Sequence, residues 1–219
     1  MIEDILPTAV AAAEAFGDPP EAELLPEEQA ALGEVGEPRR REFTTVRHCA
    51  RRALGALGLP PVPLVPGHRG APQWPDGIVG SMTHCAGYRA AAVGRSPGVR
   101  TVGIDAEPHA PLPEGVLGAV SLPEERSSLA LLAHEDPAVH WDRLLFCTKE
   151  AVYKAWYPVT HRWLGFHEAT VDLRPDGSFH ARVLAPEQPG PPCTPTFFEG
   201  RWLARNGLLL ACIATLPHV

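Results

Sequence analysis

Residues 141–156 read WDRLLFCTKEAVYKAW, and the architecture turns on how that stretch repeats. Trp141, Leu144, Leu145, Ala151, Val152, Ala155 and Trp156 recur at intervals of three, four and seven, which is one buried stripe on an α-helix. Arg143, Glu150 and Lys154 fall on another side. Glu150 and Lys154 are four apart and project toward one spot. Alone they form an ordinary surface ion pair, contributing about 0.2–0.5 kcal/mol. A second stretch, TVGIDAE at 101–107, changes the weighing. Thr101–Ile104 is a β-prone apolar run. Asp105 and Glu107, two apart, share one face of an extended strand. Two carboxylates on one face repel unless a cation lies between them. Hard oxygen ligands in that number suit Mg²⁺, which keeps positions for water and phosphate. The alternative is a solvated strand end before Pro108. With Glu150 the carboxylates number three, beside Lys154, and these are the ingredients of a metal–phosphate site.

VGIDAE followed by FCTKEAVYKAW resembles the two signature stretches of the phosphopantetheinyl transferases. These enzymes move the phosphopantetheine arm of coenzyme A onto a serine of a carrier protein. The similarity covers most of the chain, with support from RRREFTTVRHCARRAL (39–54), WPDGIVGSMTHCAGYRAAAVG (74–94) and KAWYPVTHRWLGF (154–166). It points to the double-length, Sfp/EntD-type branch and, within it, to the actinobacterial PptT-like enzymes. The implied fold is α+β: two pseudo-symmetric halves, each a helix packed on a small antiparallel sheet, with the active site in the cleft between them. Residues 1–108 would form the N-terminal half, on the nucleotide side of coenzyme A. Residues 109–219 would form the C-terminal half, carrying helix 141–156. A faint internal echo agrees: Phe43, Arg47 and Arg51 are spaced like Phe146, Glu150 and Lys154. Chance is the alternative, because polar positions on amphipathic helices recur every four anyway.

The chain has 219 residues, 45% of them apolar, enough for one large or two small domains. A net charge of −7 argues against a general nucleic-acid binder. Positive charge is nevertheless local, with Arg39, Arg40, Arg41, Arg47, Arg51 and Arg52 close together, which suits a phosphorylated or acidic partner. Cys49, Cys85, Cys147, Cys193 and Cys212 are scattered and contain no CxxC pair, so neither a zinc site nor a disulfide frame is suggested, and a reducing cytoplasm fits. The acidic start, with Glu3 and Asp4, is no signal peptide. No apolar run approaches the roughly 18 residues that span a bilayer, so no membrane role is expected.

Ala9–Phe16 reads as a strand or a short helix. Pro26 opens a helix, and a second runs from Pro38 to Leu57, closed by Gly58. Ile78–Met82 and Tyr88–Val93 read as paired strands around His84–Gly87, followed by a strand at Arg100–Ala106. Leu122–Ala133 is helical, introduced by Ser121 and Pro123. Gly165–Leu173 is a strand, and Asp176-Gly177 turns into Phe179–Leu184. The proline-rich Ala185–Pro195 is a surface loop. Thr196–Ala204 and Leu208–Leu216 close the chain around Asn206-Gly207.

The resemblance implies coenzyme A as substrate and Mg²⁺, or Mn²⁺ in its place, as metal. Asp105, Glu107 and Glu150 would hold the ion. Glu150, or a water on the metal, would take the proton of the attacking serine. Lys154 would neutralise the phosphates and assist departure of 3′,5′-ADP. Lys149 matches the motif as a second phosphate contact or as a solvated side chain. Arg39 and Arg47, joined by Arg51, match basic positions used for the nucleotide end of coenzyme A. Arg69 stands where the family has a phosphate-contacting lysine. Thr83 and His84 match a Ser/Thr-His pair that touches the coenzyme's phosphates, and the other nine histidines read as ordinary. Two departures stand out: Ala106 between the acidic positions leaves two ligands on the strand, and Cys147 takes a small-residue position, where it should be silent. Ser81 in GSMTH lacks the G-x-S-x-G elbow of a serine hydrolase. No G-x-x-x-x-G-K-[ST] phosphate loop occurs.

The partner would be an acyl or peptidyl carrier protein, received near Arg126, Arg143 and the loop after Pro108. The double-length build suggests a monomer. Two competing functions remain at this point: a Mg²⁺-dependent phosphodiesterase or hydrolase of coenzyme A or nucleotides, and a non-catalytic coenzyme A-binding module. Product analysis without carrier separates the first, and binding indifferent to EDTA would favour the second. The pathway served stays open among fatty acid, polyketide, nonribosomal peptide and siderophore synthesis.

Overall fold

A computed structural model describes residues 1–184 and 195–217. The elements in order are strand β1 (Val10–Phe16), helices α1 (Pro26–Leu32) and α2 (Glu37–Ala56), strands β2 (Ile78–Cys85), β3 (Tyr88–Arg95) and β4 (Thr101–Pro108), helices α3 (Val116–Val120), α4 (Pro123–Glu135) and α5 (Trp141–Thr160), and strands β5 (Ala169–Leu173), β6 (Ser178–Val183), β7 (Phe197–Arg205) and β8 (Leu208–Thr215). Among the described residues the strands form two antiparallel sheets, ordered β1-β3-β2 and β4-β8-β7-β6-β5. The molecule is α+β, with a 20-residue helix on each sheet: α2 on the first and α5 on the second.

The periodic stripe of α5 faces inward as expected. Its seven apolar residues are each 2% exposed or less, and they pack with Phe179, Phe198 and Leu209 of the larger sheet. Each large side chain so buried contributes about 1.5–3 kcal/mol. On α2 the buried face is Phe43, Val46, Cys49, Ala50, Ala53 and Leu54. Gly58 closes that helix at φ 76°, a conformation that costs a side-chain-bearing residue.

Glycine matters most at position 103. A Cβ there would lie 2.1 Å from the Ala151 carbonyl and 2.7 Å from the Ala155 nitrogen. Its absence, with the small Ala151 and Ala155 opposite, lets α5 lie directly on β4. Thr101 Oγ1 then donates to the Ala155 carbonyl at 2.7 Å. This close approach brings Lys154 beside Asp105.

β4 also joins the two sheets. Its ladder partner is β8, from Thr101 opposite Thr215 to Pro108 opposite Leu208. The sequence division at 108 leaves this strand with the first half, whereas its ladder lies in the second sheet. Its other edge lies against β2, where hydroxyls replace a ladder. Ser81 Oγ accepts the Ile104 N–H and Thr83 Oγ1 accepts the Ala106 N–H, both at 3.1 Å.

Several boundaries differ from the sequence reading. Ala9–Phe16 resolves as a strand, paired with β3. His84 and Cys85 lie in β2 and not in the turn, because the hairpin closes on Ala86-Gly87, with Cys85 opposite Tyr88. α3 had no periodic signature because it is five residues long. The start of the strand read at Gly165 is a 3₁₀ turn, Phe166–Glu168. At α4 the cap is Leu122, whose N–H is taken by Glu125 at 2.7 Å, and not Ser121. The loop read at Ala185–Pro195 falls, but for its last residue, outside the described residues. Among the described residues no helix is long and apolar enough to cross a membrane.

Candidate active site

A cavity of about 830 Å³ opens between α2 and α5. Arg39, Phe43 and Arg47 of α2 line one side, and Glu150, Tyr153, Lys154 and Tyr157 of α5 the other; the 66–74 loop and Thr83 and His84 of β2 complete it. Of the six residues in the echo, Phe43 and Arg47 line one wall and Glu150 and Lys154 the other, whereas Arg51 and Phe146 do not line the cavity.

Asp105 is the centre of the acidic side. It is 5% exposed. Its Oδ1 accepts from Lys154 Nζ at 2.7 Å and from Thr83 Oγ1 at 3.0 Å. Its Oδ2 is buried and has no hydrogen-bond partner. Lys154 therefore pairs across to β4 and not with Glu150, its i−4 neighbour. Burial works against the Lys154 ammonium, but the charge and hydrogen bond of Asp105, with Glu150, outweigh it and raise its pKa. Glu150 faces the cavity, and its carboxyl is pushed up, first by burial and then by Asp105 and Glu107, with Lys154 opposing. Glu107 is raised by burial and by Asp105, although Arg143 Nη1 donates to it at 2.9 Å.

Asp105, Glu107 and Glu150 thus feel one another's charge without forming a ready cage. Among the described residues no three His, Cys, Asp or Glu side chains are gathered to hold a metal ion. The donor chemistry nevertheless fits a hard divalent cation. A buried carboxylate oxygen has no hydrogen-bond partner, and two neighbouring carboxyls are held back from ionising by burial first and by the charge of Asp105 second.

On the opposite wall, Arg39 Nη1 lies 3.0 Å from His84 Nε2. A guanidinium only donates, so Nε2 is the acceptor and the ring proton sits on Nδ1, 3.6 Å from Glu42 Oε2. Burial is the leading cause that lowers the His84 pKa, with Glu42 opposing and Arg39 assisting. Arg47 lies over the Phe43 ring, 3.1 Å from its centroid, and donates through Nε to the Leu64 carbonyl at 2.8 Å. Burial brings its pKa down to about 10. Arg69 sits at φ 55° in a tight turn, 5.3 Å over the Trp163 ring, and lines the cavity.

Arg51 and Lys149 are placed elsewhere. Arg51 donates to both oxygens of the fully buried Glu28, at 2.7 Å each, and to the Glu23 carbonyl. It does not line the cavity; one further turn along α2 brings it against α1. Lys149 fits neither of its two expected roles. Its ammonium is 1% exposed and donates to Glu125 and to the Phe166 carbonyl, both at 2.7 Å. One residue before Glu150 is a rotation of about 100° away from the cavity, toward α4.

The arginines expected to receive a partner are used internally. Arg143 holds Glu107 and the carbonyls of Ala110 and Pro111, and Arg126 holds the Ser121 carbonyl. Cys147 is wholly buried, and burial raises its thiol pKa, so it is inert.

Residues passed over also line the cavity: Trp74, Met82, Tyr153, Tyr157 and His68. His68 Nδ1 lies 2.5 Å from the Tyr157 hydroxyl, which ties the 66–74 loop to α5. For the tyrosines a signal existed, since they stand three and seven residues after Glu150 and share its helix face. His68 had none, because a loop has no period.

The model of the 4′-phosphopantetheinyl transferase N-terminal domain matches residues 27–94, and that of the 4′-phosphopantetheinyl transferase superfamily matches residues 101–202. The chain belongs to the 4′-phosphopantetheinyl transferase superfamily. It is 54% identical to the 4′-phosphopantetheinyl transferase Svp of Streptomyces mobaraensis, over 98% of this chain and 89% of that protein. It is 50% identical to PptT of Mycobacterium tuberculosis, over 97% of each. Npt of Nocardia iowensis is 51% identical, over 98% of this chain and 99% of its own length.

Proposed function

We propose that this chain transfers the 4′-phosphopantetheine arm of coenzyme A to a serine of an apo acyl or peptidyl carrier protein, with Mg²⁺ as cofactor and 3′,5′-ADP as the second product. The observation that carries the reading is Asp105: one buried oxygen is held by Lys154 and Thr83, which themselves line a cavity with Arg39, Arg47 and Arg69 on its other walls, and the other oxygen has no hydrogen-bond partner.

In this reading Arg39, Arg47, Arg69 and His84 receive the nucleotide end of coenzyme A. Asp105, Glu107 and Glu150 would hold the divalent ion. Bound there, Mg²⁺, or Mn²⁺ in its place, supplies neutralisation of the pyrophosphate charge. Glu150 accepts the proton of the carrier serine. The serine Oγ forms a bond to the phosphorus that bears the pantetheine arm. The bond to the bridging oxygen breaks, and its electron pair leaves with 3′,5′-ADP. Lys154 offsets the charge that develops there. One chain supplies both walls, so a monomer suffices. The reaction belongs in the cytoplasm, where coenzyme A and apo carriers meet.

Incubation with coenzyme A, Mg²⁺ and an apo carrier protein tests this by mass. The carrier gains one phosphopantetheine, and omission of Mg²⁺ with EDTA prevents the gain. No gain across several carriers overturns the proposal. Release of 3′,5′-ADP without any carrier would instead mark a hydrolase.

A further inference from the structure

The polar stripe of α5 holds one residue that the proposed reaction leaves unused. Glu150 and Lys154 stand seven and eleven residues after Arg143, so the three fall within about 40° of one another around the helix axis. That stripe faces β4, and the strand runs against the helix: Thr101 meets Ala155, Asp105 meets Lys154, and Glu107 meets Arg143. Each carboxylate of the strand thus receives its own cation from α5, Asp105 through Oδ1 at 2.7 Å and Glu107 through Oε2 at 2.9 Å. Arg143 does more than pair charges. Its Nε donates to the Ala110 carbonyl at 3.2 Å and its Nη2 to the Pro111 carbonyl at 2.9 Å. All three guanidinium nitrogens are therefore bound to the segment 107–111. Asp142 fastens the next residue, accepting the Leu112 N–H at 2.8 Å.

We infer that Arg143 is a positioning residue for Glu107: with one planar group it holds Oε2 and the backbone that follows, and it leaves Oε1 for the divalent ion. The inference rests on the function proposed above and deepens it. A glutamate side chain turns about several bonds, and fixing it costs conformational entropy that some contact must offset. Glu107 stands at the end of β4, before an irregular segment, where the ladder offers little restraint. The bond from Nη1 restrains its carboxylate, and the bonds to Ala110 and Pro111 restrain the chain that leaves the strand. Asp105 is handled the same way, since Lys154 takes Oδ1 and Oδ2 has no partner. Charge alone works in the opposite direction, because a lone guanidinium beside a cation site weakens it. Arg143 is not alone: its charge is paired with Glu107, and the two side chains are only 17% and 19% exposed. Loss of a partner that orients a metal's ligand typically lowers metal affinity or activity about 10–100-fold, which sets the sign expected here. Lysine is no substitute, because an ammonium keeps the charge but lacks the planar fork that reaches a carboxylate and two carbonyls together.

Titration with Mn²⁺ alone, followed by electron paramagnetic resonance on the full chain without coenzyme A, reads the inference. The variants are Arg143→Met, Arg143→Lys, Glu107→Ala, and Arg143→Met combined with Glu107→Ala. Arg143→Met lowers Mn²⁺ affinity about 10–100-fold. Arg143→Lys leaves most of that loss in place. Glu107→Ala lowers the affinity by itself, and adding Arg143→Met lowers it no further, because the effect passes through Glu107. Unchanged or tighter binding in Arg143→Met overturns the inference. Full recovery with lysine does so too, since charge alone would then suffice. An equal loss in the Glu107→Ala background also overturns it and marks a general structural role. If Arg143→Met does not fold, Arg143→Lys carries the test, and wild-type Mn²⁺ affinity in that variant overturns the inference. A wild-type protein that binds Mn²⁺ but labels no carrier loses the proposed function alone. One that labels carriers without binding Mn²⁺ keeps transfer and loses this inference.

Discussion

The two long helices each present a cation to a carboxylate from another element, and the two pairs have opposite consequences. On α2, Arg51 meets Glu28, whose oxygens also accept the N–H groups of Leu25 and Leu64, so every bond is closed. On α5, Lys154 meets Asp105, where one oxygen is doubly held and the other has no partner. Burial and ion pairing alone therefore do not mark a site. The mark is an acceptor left over after the fold has satisfied itself, behind side chains that line a cavity.

That contrast breaks if the two pairs respond alike to mutation. Asp105→Ala lowers transfer at least about a hundredfold and leaves the melting temperature near its wild-type value. Arg51→Met does the reverse: it strands the buried Glu28, costs about 3–5 kcal/mol of stability in urea unfolding, and leaves kcat of the folded protein intact. An Asp105→Ala protein with full activity, or an inactive but fully stable Arg51→Met protein, would refute the distinction.

Glu150→Gln sharpens it through pH. The Glu150 carboxyl is raised in the folded state above its ordinary 4.5. The native protein therefore binds more protons than the unfolded chain between 4.5 and the raised value, and stability falls as pH rises through that window. A neutral glutamine removes the decline. Thermal melts at pH 7 should show Glu150→Gln more stable, on the order of 2–4 °C per kcal/mol regained for a chain this size, while transfer is lost. A lower melting temperature at pH 7 would contradict the assigned cost of burying this carboxylate beside Asp105.

The smallest effect belongs to the loop on the far wall. Tyr157→Phe removes the hydroxyl that meets His68 Nδ1 at 2.5 Å. A neutral hydrogen bond is worth about 0.5–1.5 kcal/mol. The KM for coenzyme A should rise roughly two- to tenfold, with kcat much less affected. An unchanged KM would show that the loop holds its place without this bond.

Much of the site was legible because periodicity carries it. The stripe from Trp141 to Trp156 determined which side of α5 is buried, and Glu150 and Lys154 followed as the remaining face. Asp105 and Glu107 were legible as a same-face pair on a strand. Arg51 and Lys149 misled because each satisfies a local pattern whose partner is distant: Glu28 lies 23 residues before Arg51, and Glu125 lies 24 before Lys149. His68 was invisible because its meaning depends on Tyr157, 89 residues away.

The family resemblance supplied the α+β class and the basic wall; the chain's own pattern supplied the buried stripe of α5, the turns at Asn206-Gly207 and Asp176-Gly177, and the same-face pairs Asp105 with Glu107 and Glu150 with Lys154. The latter depend on spacing along the chain, which local backbone geometry converts directly into direction. Only the tertiary structure decided that Lys154 pairs with Asp105 and not with Glu150, that Thr83 gives its proton to Asp105, and that Lys149 and Arg51 are structural. Those outcomes depend on Gly103 letting α5 settle against β4 and on β4 lying beside β2. Hydrogen bonds have a range of about 3 Å, so their partners are chosen by packing between distant segments, which no spacing in the chain encodes.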